Sequence, residues 1–135
     1  MRHQPTGLEY NAVSHFKDSE RLEYFLTRCF ETDEVWLLGD RSGLMVRDLN
    51  HEQTLPVWPY RKFAADAALH QFNDHAPTSV ALDYFLDSTL NGLETQKLLI
   101  EIMPHGDQSG CLITPDRLRS ILMGMIDAGE YRLDG

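Results

Sequence analysis

Apolar residues recur at helical spacing in three stretches of this chain. Leu22, Phe25, Leu26, Cys29 and Phe30 share one face, with Asp18 or Ser19 placed to cap the helix and Thr32-Asp33 to end it. Phe63, Ala64, Ala67, Ala68 and Phe72 form a second stripe. Pro59 suits the first turn of that helix, where its missing N–H costs nothing, and residues 73–77 stop it. Leu118, Ile121, Leu122, Met125 and Ile126 form the third stripe. It begins with Thr114 as N-cap, Pro115 at the first helical position and Asp116 favourably placed for the helix dipole, and Gly129 ends it. Asp83 caps a further short helix, with Phe85, Leu86 and Leu90 inward and Asn91-Gly92 as a left-handed end.

Between the helices the pattern changes to that of strands. Glu34 to Leu38 and Leu44 to Arg47 flank the turn residues Gly39 to Gly43 and predict a hairpin. Asp48 to Gln53 reads as a polar turn, and Thr54 to Trp58 as a short strand that Pro56 confines to a sheet edge. Thr78 to Ala81 predicts a brief strand. Lys97 to Met103 is apolar on both faces, which suits a central strand covered by helices. The loop 104–110 leads to a return strand, Cys111 to Ile113. Residues 1–17 show no period and read as a flexible arm, leaving 18–135 as a single domain. The predicted order is α-β-β-β-α-(β)-α-β-β-α, an α+β domain whose mostly antiparallel sheet of about five strands packs with about four helices.

Those same residues resemble a small uncharacterised bacterial family, domain of unknown function 2750. The likeness runs through Glu34 to Leu38, Gly43, Leu55-Pro56-Val57-Trp58-Pro59, Phe63-Ala64, Leu82 to Leu86, Asn91-Gly92-Leu93 and Ile113 to Leu118. A looser likeness is to the enhanced-serine-sensitivity domain, on Leu55-Pro56-Val57-Trp58 and Gly110 to Leu118. Both imply the α+β order above, and neither brings a catalytic residue with it. Toxin–immunity roles are associated with families of this kind, which is an association and not a mechanism.

Charge and cysteine use narrow the role. The 135 residues carry 12 Lys+Arg against 21 Asp+Glu, a formal net charge of −9. That argues against nucleic acid or an anionic membrane as the main partner. The N-terminus has no apolar signal-peptide core, and no apolar run approaches the ~18 residues of a membrane span. Cys29 and Cys111 lie in apolar patterns without metal or redox spacing, so both read as buried reduced thiols. A bacterial cytoplasmic protein is expected.

No motif carries a reaction. Asp66 and His70 stand one helical turn apart, but a closed metal site needs more ligands than two, so no metal is expected. Asp83 and Asp87 read as helix-surface acids. Ser42, Ser109 and Ser120 have no nucleophile elbow around them. Cys111 stands near His105 in sequence, yet a cysteine opening a strand is ordinarily core. The glycine-bearing loop 105–110 lacks the features of a phosphate loop. No catalytic residue and no cofactor is therefore expected.

The candidate binding residues are Trp36, Trp58, Tyr60 and Arg61. Trp58 stands between two prolines, where it either plugs the gap between sheet and helix or joins Trp36 in an aromatic surface. Three roles follow. The first is a non-enzymatic module, adaptor- or immunity-like, that binds another and more basic protein. The second is a small-molecule or enzymatic pocket beside Trp58, with Tyr60 at its rim and Arg61 orienting an anion. The third is self-association through a sheet edge or the last helix, which bears Met123; a monomer or a weak homodimer is expected.

Overall fold

The computed structural model describes residues 4–40, 43–69, 75–106 and 108–128. It is an α+β fold. Helix α1 (Gly7–Ala12) and a 3-10 turn (Val13–His15) precede α2 (Asp18–Thr32), β1 (Glu34–Asp40), β2 (Gly43–Leu44), β3 (Arg47–Leu49) and β4 (Glu52–Val57). Then follow α3 (Arg61–Leu69), β5 (Ala76–Ala81), α4 (Leu82–Tyr84) running through a π turn (Phe85–Thr89) into α5 (Leu90–Gln96), β6 (Leu99–Ile102), β7 (Cys111–Ile113) and α6 (Pro115–Asp127).

The strands form two sheets, ordered β2-β1-β5 and β3-β4-β6-β7. All pairings are antiparallel except β4 with β6, which run parallel. A backbone pair joins the sheets: the Trp36 N–H donates to the Trp58 carbonyl at 2.8 Å, and the Trp58 N–H donates to the Trp36 carbonyl at 2.9 Å. Helix α2 packs on β1, β6 and β7, α3 on β1 and β5, and α5 on α6. One core follows, with Phe25, Cys29, Leu37, Val57, Phe63, Phe85, Ile100 and Leu118 among its buried members.

Pro59 lies before α3 rather than in its first turn, and Asp83 stands inside α4, whose cap is Ala81. Three larger expectations change. The segment ending at Trp58 is not an edge strand, because β4 lies between β3 and β6. Pro56 is tolerated there for a local reason. Val57 accepts the Met103 N–H from the β6 side while Trp58 bonds Trp36 on the other side, so backbone alternation turns Pro56 toward the Trp58 side. On that side β3 ends its pairing at Thr54 and β1 begins at Trp58, so the absent N–H falls in the gap between them.

The second change is in the polar turn, which is shorter than its composition suggests. Only Asn50 and His51 turn, both at positive φ (53° and 71°), and β3 and β4 pair up to Leu49 and Glu52 on either side. Two consecutive left-handed residues make the tight hairpin turn that matches strand twist. The third change is at Asn91-Gly92, which does not end its helix. Helix α5 runs to Gln96, and Lys97, at φ 59°, forms the left-handed end while the Leu98 N–H donates to the Leu93 carbonyl. Asn91 instead donates its side-chain amide to the Asp87 carbonyl and accepts from Arg119.

The N-terminal arm is also more regular than its sequence pattern. Thr6 caps α1 by accepting the Glu9 N–H, and Val13 is fully buried. Helix α2 starts one residue before the predicted caps, with Lys17 as N-cap and its N–H donated to the Glu20 carboxylate at 2.8 Å. Helix α6 begins as expected, with Thr114 accepting the Arg117 N–H at 3.2 Å. The predicted roles of Phe72, of the helix stop at 73–74, of Ser42, of His70 and of Gly129 fall outside the described residues.

Candidate functional site

Trp58 and Tyr60 have no exposed surface at all. The Trp58 indole N–H donates to the Pro104 carbonyl at 2.8 Å, so both the apolar and the polar part of this side chain are used inside the fold. Tyr60 packs among Tyr24 and Phe63. Trp36 is half-buried and Arg61 exposed. Trp36 and Trp58 therefore meet through their backbones, where the two sheets join, and Trp58 adds nothing to a surface. The corresponding expectation is a split in emission. In Trp36→Phe the remaining Trp58 fluorescence resists acrylamide, and in Trp58→Phe the remaining Trp36 fluorescence is quenched. Equal quenching in the two variants would contradict this placement.

The most polar group of the interior was not singled out from sequence. Glu101, on β6, is completely buried. Its carboxylate accepts from Arg47 Nε at 2.8 Å and Arg47 Nη2 at 2.5 Å, a two-pronged pair. It also accepts the Gly110 N–H at 2.8 Å and lies 3.4 Å from the Thr54 hydroxyl. Beside it, buried Arg21 donates to the Met103 carbonyl at 2.6 Å and to the Gln108 side chain. Met103 itself is held at φ 55°, a conformation few side chains adopt. Together these groups clamp the connection between β6 and β7. The signal in the sequence was a lone Glu inside an apolar strand; its partner Arg47 could not be chosen without the β3–β4–β6 order.

Both thiols are held toward the protonated form. Burial pushes the Cys29 thiol well above its ordinary value, with Glu34 adding to the effect. Burial also raises Cys111, helped by Asp18 and opposed by Arg21. A thiol raised in this way is less ionised and less reactive. The His105 ring packs edge-on against Tyr10 and Phe63. Among the described residues, no group of three or more His, Cys, Asp and Glu side chains is placed to hold a metal ion.

What the surface does offer is a groove of about 580 Å³, walled by Leu44, Val46, Val80, Tyr84, Leu93 and Leu98. Leu44, Val46 and Tyr84 are each substantially exposed, at 42%, 38% and 57%. Leu44 and Val46 flank Met45, which is buried and donates its N–H to the Leu38 carbonyl. Alternation then turns Leu44 and Val46 away from the side that Met45 fills. The sequence carried a signal for this, since three consecutive apolar residues in a short edge ribbon leave one face without core to cover it. Exposed acids stand nearby in the chain, Asp83 and Asp87 flanking Tyr84, and Asp48 and Glu52 on the β3–β4 hairpin.

The fold and groove define a small α+β module with an apolar surface cleft whose polar lining comes from Ser88, Thr89 and Gln96. The family model described as "Protein of unknown function (DUF2750)" matches residues 22–122, and the chain belongs to that family. No curated protein matches the chain. Among the described residues, no helix is long and apolar enough to cross a membrane.

Proposed function

We propose that this chain is a non-enzymatic protein-binding module, an adaptor- or immunity-like cytoplasmic protein of bacterial type. Its groove takes a partner segment that carries apolar side chains flanked by Lys or Arg. The observation that carries this is the cleft in which Leu44, Val46 and Tyr84 are exposed together. Contiguous exposed apolar surface with a polar border is the usual form of an interaction site. Exposed Asp48, Glu52, Asp83 and Asp87 and the net charge of −9 favour a basic partner and speed its approach. The buried charged side chains support the same reading, because Glu101 and Arg21 are consumed in internal bonds.

Selection of a random peptide-display library on the full chain tests the proposal. Enriched peptides should pair apolar positions with Lys or Arg. Val46→Asp and Tyr84→Ala should each weaken them by about tenfold, ~1.4 kcal/mol. Raised salt should weaken them further. Failure to enrich such peptides, or enrichment indifferent to Val46→Asp, would remove the groove as the docking site.

A further inference from the structure

The N-terminal arm closes over a second surface, and it does so mainly with one side chain. Tyr10 stacks on Phe63 with ring centroids 5.3 Å apart and meets the His105 ring edge-on at 5.2 Å. The Lys62 ammonium lies 4.7 Å from the Tyr10 ring centroid, and the Tyr10 hydroxyl donates to the Asp66 carboxylate. An aromatic floor, an aromatic wall, a cation over the ring and a carboxylate for the hydroxyl together answer every feature of a phenol. Burial and Asp66 push the Tyr10 phenol up to about 12, so it stays a donor at neutral pH.

Glu9 extends the contact. It accepts from the Tyr24 hydroxyl at 2.7 Å and pairs with Arg28 at 3.3 Å. Val13 is buried beyond it, and the Ser14 carbonyl accepts from Gln108 at 2.9 Å.

Two observations concern α1 itself, apart from Val13, which belongs to the core. Helix α1 has six residues, none of them buried, and Leu8 on it is 85% exposed. A helix that short is not stable alone and depends on what it docks against. The match to the family model begins at residue 22, so α1 lies outside it, whereas Tyr24, Arg28, Lys62, Phe63, Asp66 and His105 all lie inside. The receiving surface lies within the matched residues; the tyrosine that fills it lies before them.

We propose that Lys62, Phe63, Asp66 and His105 form a tyrosine-binding socket, filled in the free chain by Tyr10 and open to a partner helix that displaces the arm. The arm itself states the chemistry of that partner: an acidic residue, then tyrosine, then a β-branched aliphatic residue three positions on. In the free chain the arm competes from within and lowers the apparent affinity for such a helix.

A fluorescent synthetic peptide of residues 4–17, titrated into the full chain, tests this. Tyr10→Ala should bind the peptide at least tenfold more tightly than the unaltered chain, because the internal competitor is weakened. Adding Asp66→Asn should undo most of that gain, and a peptide with Phe in place of tyrosine should bind more weakly to Tyr10→Ala. Val46→Asp, in the groove, should leave all of this unchanged, which keeps the two surfaces distinguishable. If Tyr10→Ala fails to fold, Tyr10→Phe keeps the ring and loses only the hydroxyl, and the peptide should still bind it more tightly than the unaltered chain. A folded Tyr10 variant that binds no better than the unaltered chain, or a peptide that binds equally well with Ala at the tyrosine position, would overturn the proposal.

Discussion

Gly110→Ala is expected to destabilise the fold by about 4 kcal/mol, lowering the melting temperature by roughly 15 °C for a chain of this size. The reason is space rather than backbone conformation. A Cβ at position 110 would stand 2.2 Å from the Ile102 carbonyl oxygen, 2.7 Å from its carbon and 2.9 Å from the Pro104 nitrogen. All three atoms are backbone, so no rotamer change relieves the clash. The backbone that would have to move also presents the Gly110 N–H to buried Glu101 and leads directly into Met103 and Pro104, whose carbonyls hold Arg21 and the Trp58 indole. Gly124→Ala is the control. Nothing lies within 4 Å of a Cβ at that exposed position of α6, so the change should stabilise by about 0.5–1 kcal/mol. Urea and thermal unfolding of the two variants give both numbers. A mild effect of Gly110→Ala would mean that the β6–β7 connection can shift, and the packing described for it would have to be abandoned.

Arg47→Met should cost about 3–5 kcal/mol, because it strands the carboxylate of Glu101 in the interior. The two-pronged contact at 2.8 and 2.5 Å is the charge compensation described for a side chain with no solvent exposure. What still bonds to the carboxylate after the change, the Gly110 N–H and the more distant Thr54 hydroxyl, is neutral, and the Arg21 cation acts on it only through space while bonded to Met103 and Gln108. Lysine should rescue only in part, since it offers a point charge where Arg offers a planar fork. Arg47→Met combined with Glu101→Gln should be more stable than Arg47→Met alone. The amide keeps an acceptor for the Gly110 N–H without a buried charge. Equal urea midpoints for the single and double variants would show that the carboxylate is not the source of the cost.

These two sites mark where sequence reasoning stopped. The helices α2, α3 and α6 were legible because each carries a one-sided apolar stripe and, for α6, a Thr-Pro start. The β1–β2 and β6–β7 hairpins were legible from strand formers around turn residues, although β2 covers only Gly43–Leu44 and Arg47, read as part of that strand, instead opens β3 and pairs with Thr54. The place of β4 was not, since proline is ordinarily an edge signal, and only the break in pairing between Thr54 and Trp58 makes it compatible with a central strand. Glu101 looked like one polar interruption in an apolar run. Its meaning depends on Arg47, brought to it by β4, and on Gly110, brought by the return of β7.

The candidate site was less legible than the fold. Trp58 and Tyr60 drew attention because large aromatics at a proline-bound corner suit a pocket and a core equally well. Burial decides between those, and burial belongs to the folded chain. Leu44, Val46 and Tyr84, which do form a surface, are scattered across a hairpin and a helix, and no local pattern joins them. The arm was harder still, since α1 takes its regular form through Glu9 and Tyr10, whose partners lie on α2 and α3.

The parallel pairing of β4 with β6 has a consequence for how the chain reaches this state. The β1–β2, β3–β4 and β6–β7 hairpins close short loops and can form early. Strands β4 and β6 meet only after the chain has run through α3, β5 and the α4–α5 helix, and β5 must by then lie against β1 on the far side of the Trp36–Trp58 junction. The β4–β6 seam, like the β1–β5 pairing, closes a long stretch of chain, so its formation is expected to limit the folding rate. Substitutions at the seam, such as Val57→Ala or Ile100→Ala, would slow folding, while those in the outlying hairpins would mainly hasten unfolding.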